Sequence, residues 1–270
     1  MPSMTDSDRR QRAARLRALI GKCRDDPDRF NSVILGRGPY WARQREVVES
    51  VVRHSATYVQ TGNGVGKSYA DAGVLHWYLT TRPNSLVVAT APSQTQLEEV
   101  LWKEVERAYK GSRVPLGGRL LKSPLKVDMG EGWQALAYST TSTERFSGHH
   151  NAELLAILDE ASGVAPAIWE AISSLNPSHL LATGNPLSPD GPFYERCQRA
   201  ALVAGEPDAP ANLITISSLE SPDIHLERSK RGLADAGWLR QARHDYGEGS
   251  LWWRPHVLGL FPAEAADALL

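Results

Sequence analysis

Short apolar runs of strand length recur along the chain, and stretches with helical apolar spacing separate them. The runs at 85–91, 153–158 and 179–183 are almost uninterrupted, which is typical of strands buried on both faces of a parallel sheet. Residues 94–110 carry one apolar stripe with the period of an α-helix. The alternation predicts an α/β fold in which helices flank a mainly parallel sheet.

Less regular apolar spacing predicts the remaining elements. Further strands are expected around 58–61, 120–127, 133–138 and 212–218. Further helices are expected around 9–24, 40–52, 69–79, 166–174, 193–203, 226–236 and 239–246.

Composition narrows the class of protein. An apolar fraction of 41% over 270 residues is enough for a buried core, so the chain is not a disordered protein. No apolar run approaches the roughly 20 residues that span a bilayer, and the N-terminus lacks an apolar signal core, so we expect an intracellular protein without a membrane partner. Cys23 and Cys197 have no metal-ligand spacing and are expected to be reduced packing residues.

The charge balance bears on nucleic-acid binding. A net charge of −1 argues against a broad basic coat, but it permits a local basic track. The arginines of the predicted helix at 9–24 either meet DNA or a partner protein, or form a solvated face.

A glycine-rich turn follows the strand at 58–61 and predicts a phosphate site. Its glycines let the backbone adopt positive φ angles and direct successive N–H groups at an anion; these are Gly62, Gly64 and Gly66. Lys67 supplies a charge for the β- and γ-phosphates, and the Ser68 hydroxyl can bind Mg²⁺. This is the Walker A pattern with one departure, since Thr61 stands where the strict pattern has glycine.

Two further strands end in polar residues that suit the same chemistry. Asp159 is placed to hold Mg²⁺ through water, and Glu160 is available to deprotonate the attacking water; the alternative is a solvated acidic turn. Asn185, in the run Thr183-Gly184-Asn185, can bond the γ-phosphate or the lytic water, unless this run is an ordinary Gly-Asn-Pro turn.

Taken together, these motifs resemble the large terminase subunit of tailed bacteriophages over nearly the whole chain, from about 40 to 262. The strings that carry the resemblance are FSGHH at 146–150, LLAILDEAS at 154–162, IWEA at 168–171, TGNP at 183–186 and GPFY at 191–194. The resemblance implies a P-loop ATPase of the type with an additional catalytic glutamate and a small helical lid. Its implied activity is translocation of double-stranded DNA into a viral procapsid in the host cytoplasm.

The resemblance also implies cofactors and partners. ATP and Mg²⁺ are the implied cofactors. The implied partners are double-stranded DNA, the portal protein, the small terminase subunit and further copies of the chain. The implied assembly is a ring, a pentamer, on the procapsid, and in isolation a monomer is expected.

By the same resemblance, Lys67, Glu160 and Arg145 are the expected catalytic residues, with Ser68 and Asp159 at the metal. The expected nucleotide ligands are Gln44, Thr61, Gly62, Asn63, Gly64, Val65, Gly66, Lys67, Ser68, Thr183, Gly184 and Asn185. Gln44 would read adenine, unless it is a surface glutamine. Arg145 would act as an arginine finger in a neighbouring subunit, unless it is simply solvated.

The domain organisation follows from the resemblance. We expect an N-terminal arm at 1–30, a P-loop core at 31–218, a helical lid at 219–255 and a linker at 256–270 toward an absent nuclease domain, so no nuclease activity is expected. Asn63 stands where many family members carry Arg or Lys, which puts charge stabilisation from that position in doubt. Two alternatives stay open: a helicase-like motor, and an ATP-binding assembly module with little hydrolysis.

Overall fold

The computed structural model describes residues 5–139, 151–206 and 208–262, and a mixed sheet of eight strands lies at their centre. The strands are β1 Ala56–Thr61, β2 Leu86–Thr90, β3 Arg119–Lys122, β4 Leu125–Gly130, β5 Trp133–Ala137, β6 Leu154–Leu158, β7 His179–Gly184 and β8 Ala211–Ile216. Their order is β3-β4-β5-β2-β6-β7-β1-β8.

Strand direction divides the sheet into two parts. The strands from β5 to β8 in this order pair in parallel, and the hairpin β3–β4 adds an antiparallel edge. Every residue of β2 and β6 is buried, as their uninterrupted apolar runs predict. The predicted α/β class with a mainly parallel sheet is confirmed, whereas the single strand expected at 120–127 is two strands of a hairpin.

Helices cover both faces of the sheet. They are α1 Asp6–Gly21, α2 Pro27–Arg29, α3 Ala42–Arg53, α4 Lys67–Thr81, α5 Gln94–Gln96, α6 Lys103–Gly111, α7 Pro166–Ser174, α8 Gly191–Leu202 and α9 Ala236–Tyr246. π-Helical turns occupy Phe30–Ile34, Leu97–Trp102 and Arg254–Leu258. Apolar residues of α3, α4 and α6 share a core with one face of the sheet, and those of α7 and α8 share a second core with the other face.

The N-terminal helix predicted around 9–24 is present as α1, Asp6–Gly21. None of its residues is fully buried, although Leu19 and Ile20 pack against the first core at its end. Cys23, which follows α1, is buried with a free thiol, as is Cys197 in α8. This agrees with the packing role that the sequence predicts for both cysteines.

The segment after β8 contains less helix than predicted. The helix expected at 226–236 is wrong, because this stretch forms turns and α9 begins only at Ala236. Polar side chains bond its backbone: Asp235 accepts from the Ser229 N–H at 2.7 Å, and Ser221 donates to the Ala234 carbonyl at 2.6 Å. Such bonds compete with helical hydrogen bonds.

A small apolar cluster and a ring stack hold the end of this segment. Leu239, Ala242, Trp253 and Val257 form the cluster. The Trp252 ring stacks between Tyr246, at 3.9 Å between centroids, and His256, at 4.4 Å. Within the described ranges, no helix combines the length and the apolar character that crossing a membrane requires. The division into arm, core, lid and linker stays a prediction.

Candidate active site

The carboxyl ends of three neighbouring strands bring the predicted chemistry to one edge of the sheet. β6, β7 and β1 lie side by side and run parallel. Residues 159–160, 183–185 and 62–68, at or just after their ends, therefore meet. Open α/β sheets bind their ligands at such an edge.

The glycine-rich turn after β1, residues 62–66, has the predicted backbone shape. Gly64 and Gly66 have φ angles of +66° and +79°, a region that glycine enters without strain. Gly66 is the N-cap of α4, and no side chain caps this helix end. The first turn of α4 thus presents main-chain N–H groups and the positive end of the helix dipole, which is the usual anion site of a helix N-terminus.

The turn is held by the end of β8 and by the segment that follows β8. The N–H groups of Gly62 and Asn63 donate to the carbonyls of Ile216 at 2.8 Å and His256 at 2.7 Å. The Gly64 carbonyl accepts from the Ala234 N–H at 2.7 Å. In this structure the amides of Gly62 and Asn63 are therefore bonded within the protein, so their predicted contacts with a nucleotide stay predictions.

Ser68 and Asp159 place two oxygen donors side by side. The Ser68 hydroxyl donates to Asp159 Oδ2 at 3.2 Å, and the Asp159 side chain is almost fully buried. Burial raises the pKa of Asp159 to about 6; the Glu160 charge acts in the same direction, while Lys67 and the Ser68 hydroxyl oppose it.

The pair suits Mg²⁺, which takes hard oxygen ligands and needs only one or two from protein beside phosphates and water. Within the described ranges, no group of three or more His, Cys, Asp or Glu residues could hold a metal ion by itself.

Lys67, which follows β1, contacts residues just after the ends of β6 and β7. Its Nζ donates to Asn185 Oδ1 at 3.1 Å and forms an ion pair with Glu160 Oε1 at 3.2 Å. Glu160 has a φ of +50°, which is uncommon outside glycine and ends the extended course of β6. Its side chain is 31% exposed, so water reaches the carboxylate that is predicted to act as the base.

Residues 183–185 form a hydrogen-bonded junction rather than an isolated turn. The Asn185 side-chain amide donates to the Thr61 carbonyl at 2.7 Å, and the main-chain carbonyl of Asn185 accepts from the Ser162 hydroxyl at 2.7 Å. A Cβ on Gly184 would lie 2.9 Å from the Ala161 main-chain nitrogen, so the backbones of β7 and the turn after β6 approach closely here.

Gln44 lies against the glycine-rich turn at 62–66, which is called the phosphate turn from here on. The side chain is 6% exposed, and its Nε2 donates to the carbonyls of Val65 and Gly66, both at 3.1 Å. The interpretation as a surface glutamine is therefore wrong. Trp41 supports the same turn through a bond from Nε1 to the Val65 carbonyl at 3.3 Å. The proposed contact of Gln44 with adenine stays a prediction.

Sequence reasoning missed Asp71, which lies on the buried face of α4. Its carboxylate accepts from the Thr183 hydroxyl at 2.8 Å and is fully buried. Burial and the Asp159 charge raise its pKa well above the usual range. The available signal was a lone carboxylate in an apolar helical run. Arg145 and the string at 146–150 lie outside the described residues.

Comparisons with known proteins bear on this site. No protein-family model matches the chain. The chain is 29% identical over 269 residues to the probable terminase, large subunit, of Enterobacteria phage P7, over 95% of this chain and 52% of that protein. The chain thus spans about half the length of the curated relative that it matches.

Two solved structures are similar in fold. The ATPase domain of the large terminase of Thermus phage P74-26 superposes with a TM-score of 0.58 at 20% identity, over 87% of this chain and 98% of that chain. The large terminase of the thermophilic bacteriophage D6E in complex with ADP gives a TM-score of 0.60 at 13% identity, over 83% of this chain and 54% of that chain. The predicted resemblance to large terminases is confirmed, and the fold is that of their ATPase domains.

Proposed function

We propose that this chain is the ATPase part of a DNA-packaging motor, which hydrolyses ATP to move double-stranded DNA into a procapsid. One observation carries the proposal. The Ser68–Asp159 contact of 3.2 Å and the Lys67–Glu160 ion pair of 3.2 Å lie at a single sheet edge, on the fold of large terminase ATPase domains. These are the groups that ATP hydrolysis needs.

ATP binding would use the first turn of α4 and Lys67. The triphosphate lies on the main-chain N–H groups there, and Lys67 moves from Glu160 and Asn185 to the β- and γ-phosphates. A nucleotide thus competes with Glu160 for the one ammonium group that both contact. Binding of ATP releases the Glu160 carboxylate, which is then free to bond a water molecule.

Glu160 acts as the general base. It accepts a proton from water as the water oxygen forms a bond to the γ-phosphorus, and the bond from that phosphorus to the β–γ bridging oxygen breaks. The electron pair of the broken bond leaves with ADP. Ser68 and Asp159 would hold Mg²⁺, which when bound neutralises charge on the phosphate oxygens. Asn185 contacts the γ-phosphate or the water after Lys67 moves.

The remaining assignments extend the proposal to the assembly. Double-stranded DNA is the moved substrate, and the portal protein, the small terminase subunit and further copies of the chain in a ring are the partners, in the host cytoplasm. Gln44 reads adenine through its side-chain oxygen, and Arg145 acts on the nucleotide of a neighbouring subunit.

Steady-state ATPase assays with Mg²⁺, with and without double-stranded DNA, test the proposal. We expect Lys67→Ala to abolish tight ATP binding and Glu160→Gln to keep binding but lower kcat by about 10²-fold or more, as loss of a general base does. Lys103→Ala and Glu99→Gln are matched controls, because these two exposed residues form an ion pair with each other on the surface of the helix at 94–111. Both should retain wild-type turnover.

Equal turnover in wild type and Glu160→Gln would contradict the assignment of the base. A wild-type chain that binds ATP tightly without turnover, alone or with DNA and portal, would favour the assembly-module alternative. Strand separation coupled to hydrolysis would favour the helicase-like alternative over packaging of intact duplex DNA.

A further inference from the structure

A buried polar layer lies beneath α4, behind the residues that contact ATP in the proposed function. It consists of Thr61 at the end of β1, Thr183 in β7 and Asp71 in α4, and the side chains are respectively 0%, 2% and 0% exposed. The alternation of side chains along a strand puts Thr61 on the same sheet face as Val59, and Val59 is the register partner of Thr183. Both hydroxyls therefore face α4 and Asp71.

The hydrogen bonds of this layer are incomplete. Asp71 Oδ2 accepts from the Thr183 hydroxyl at 2.8 Å. Within the described ranges, Asp71 Oδ1 and the Thr61 hydroxyl are buried without any hydrogen-bond partner. A buried polar group without a partner is costly, so a native structure supplies one, often an ordered water molecule.

Space for such a partner exists. A cavity of about 10 Å³ lies behind the phosphate turn, and Thr61, Asp71 and Thr183 are among its lining residues. About this volume is the least that holds one water molecule. The cavity is thus at the lower limit for a single water molecule, and the Thr61 hydroxyl and Asp71 Oδ1 are the unpartnered polar groups of this layer.

The layer also provides a second contact between α4 and β7. α4 begins at Lys67, whose Nζ bonds Asn185 at 3.1 Å, and Asn185 follows β7 directly. One turn further along α4, Asp71 bonds Thr183 of the same strand. α4 and β7 are thus joined twice, once at a contact that ATP breaks and once at a buried contact that ATP does not reach.

We propose that Asp71 is a positioning residue of the ATPase site, which together with Thr183, Thr61 and one buried water molecule fixes α4 to β7. This inference rests on the proposed function. When Lys67 leaves Asn185 for the phosphates, the Asp71–Thr183 bond keeps the two elements in register, so that Asn185 stays within reach of the γ-phosphate and the water. Asp71 acts through Thr183 and touches neither ATP nor metal.

Three variants test the link in the whole chain: Asp71→Ala, Asp71→Asn and Thr183→Val. Thr57→Val is a matched control, because Thr57 is equally buried on the same strand and face as Thr61 and its hydroxyl bonds the Ser50 hydroxyl, at 2.8 Å, away from Asp71. The measurements are kcat and affinity for a non-hydrolysable ATP analogue, both expressed per folded molecule, and the melting temperature.

We expect Asp71→Ala to lower kcat by about 2- to 30-fold, the range found for residues that couple sites without contacting ligand. Analogue affinity should change by less than about twofold, since the α4 amides and Lys67 remain. Asp71→Asn should restore part of kcat because its amide oxygen still accepts from Thr183. The double variant Asp71→Ala with Thr183→Val should be no slower than Asp71→Ala alone, as expected for two partners of one bond.

Wild-type kcat per folded molecule in Asp71→Ala, with or without a lowered melting temperature, would overturn the positioning role.

A high-resolution crystal structure tests the water independently of turnover, and we expect one ordered water molecule within hydrogen-bond distance of Thr61 and Asp71. A well-ordered empty cavity there would refute that part. An inactive wild type would count against the proposed function, whereas an active wild type matched by Asp71→Ala would remove this inference alone.

Discussion

The sheet and the segment that follows it, residues 217–262, are held together in different ways. In β2 and β6 every side chain is buried, and every apolar one lies in a core shared with helices. In the segment, side chains bond the backbone instead: Ser217 and Glu220 form a capping box, and Asp235 caps α9. Apolar packing thus specifies the sheet, whereas local polar bonds together with one small apolar cluster specify the segment that touches the phosphate turn.

The two regions meet at the turn itself. The exit half leads into α4, which is buried in the core, and the entry half is bonded to Ile216 and His256. Regions with few buried apolar contacts open at lower free energy than the core. We therefore expect the segment to open more readily than the core, and three sets of variants test this difference.

Replacement of a core tryptophan should have the largest effect. Trp77 is fully buried in α4 and donates to the Cys23 carbonyl at 2.8 Å. Trp77→Ala should lower the free energy of unfolding by about 3–5 kcal/mol, as large-to-small core substitutions do. Trp253→Ala, in the small cluster of the segment, should cost less and open only the segment. Urea unfolding followed by circular dichroism measures the free energy of unfolding of both variants, and equal losses would contradict the difference between core and segment.

The pH dependence of stability should come partly from the core. Burial lowers the pKa of His76 to about 4, and its Nε2 lies 2.9 Å from the Val105 carbonyl. Since the folded pKa lies below the unfolded value of 6.5, the unfolded chain binds more protons between pH 4 and 6.5, and stability falls as the pH falls through this window.

His76→Phe should remove part of this slope, on the order of 2–3 kcal/mol in total across the window. His244→Asn is the control, since the His244 side chain is 84% exposed in α9. Unfolding by urea at several pH values compares the three proteins. An unchanged slope in His76→Phe would show that other groups cause the acid sensitivity.

The smallest effect is expected at the cap of α9. Asp235 accepts from the Trp238 N–H at 2.8 Å, so Asp235→Ala should loosen the first turn of α9 and speed its amide hydrogen exchange by about fivefold, the usual effect of losing a cap. Asp245→Ala, at the opposite end of the same helix, should not. Exchange in α4 should stay unchanged in both variants, whereas a change there would show that segment and core open together.

The sequence predicts the parts of this molecule that one strong local pattern determines. The apolar runs of β2, β6 and β7 predict the sheet, and the spacing of Gly64, Gly66 and Lys67 predicts the phosphate turn. The close approach of Ser68 and Asp159, 91 positions apart, follows once strand order is assumed, because parallel strands end at a common edge.

Other features depend on contacts that no local pattern encodes. The turns at 226–235 replace a predicted helix because Ser221, Ser229 and Asp235 bond the backbone there. The burial of Gln44 and the bond from Thr183 to Asp71 arise from packing between distant elements. A polar residue on a helix carries no sign of which strand it will meet, so both lay beyond sequence reasoning.

The stacked rings of Tyr246, Trp252 and His256 have an optical consequence. His256 holds the Asn63 amide through its carbonyl while its imidazole lies against the Trp252 indole. Because the emission of an indole responds to the distance and tilt of its neighbouring rings, we expect a displacement of the entry half of the phosphate turn to change the fluorescence of Trp252. The chain contains eight tryptophans, so stopped-flow mixing would follow the Trp252 signal as the difference between wild type and Trp252→Phe, without any attached dye.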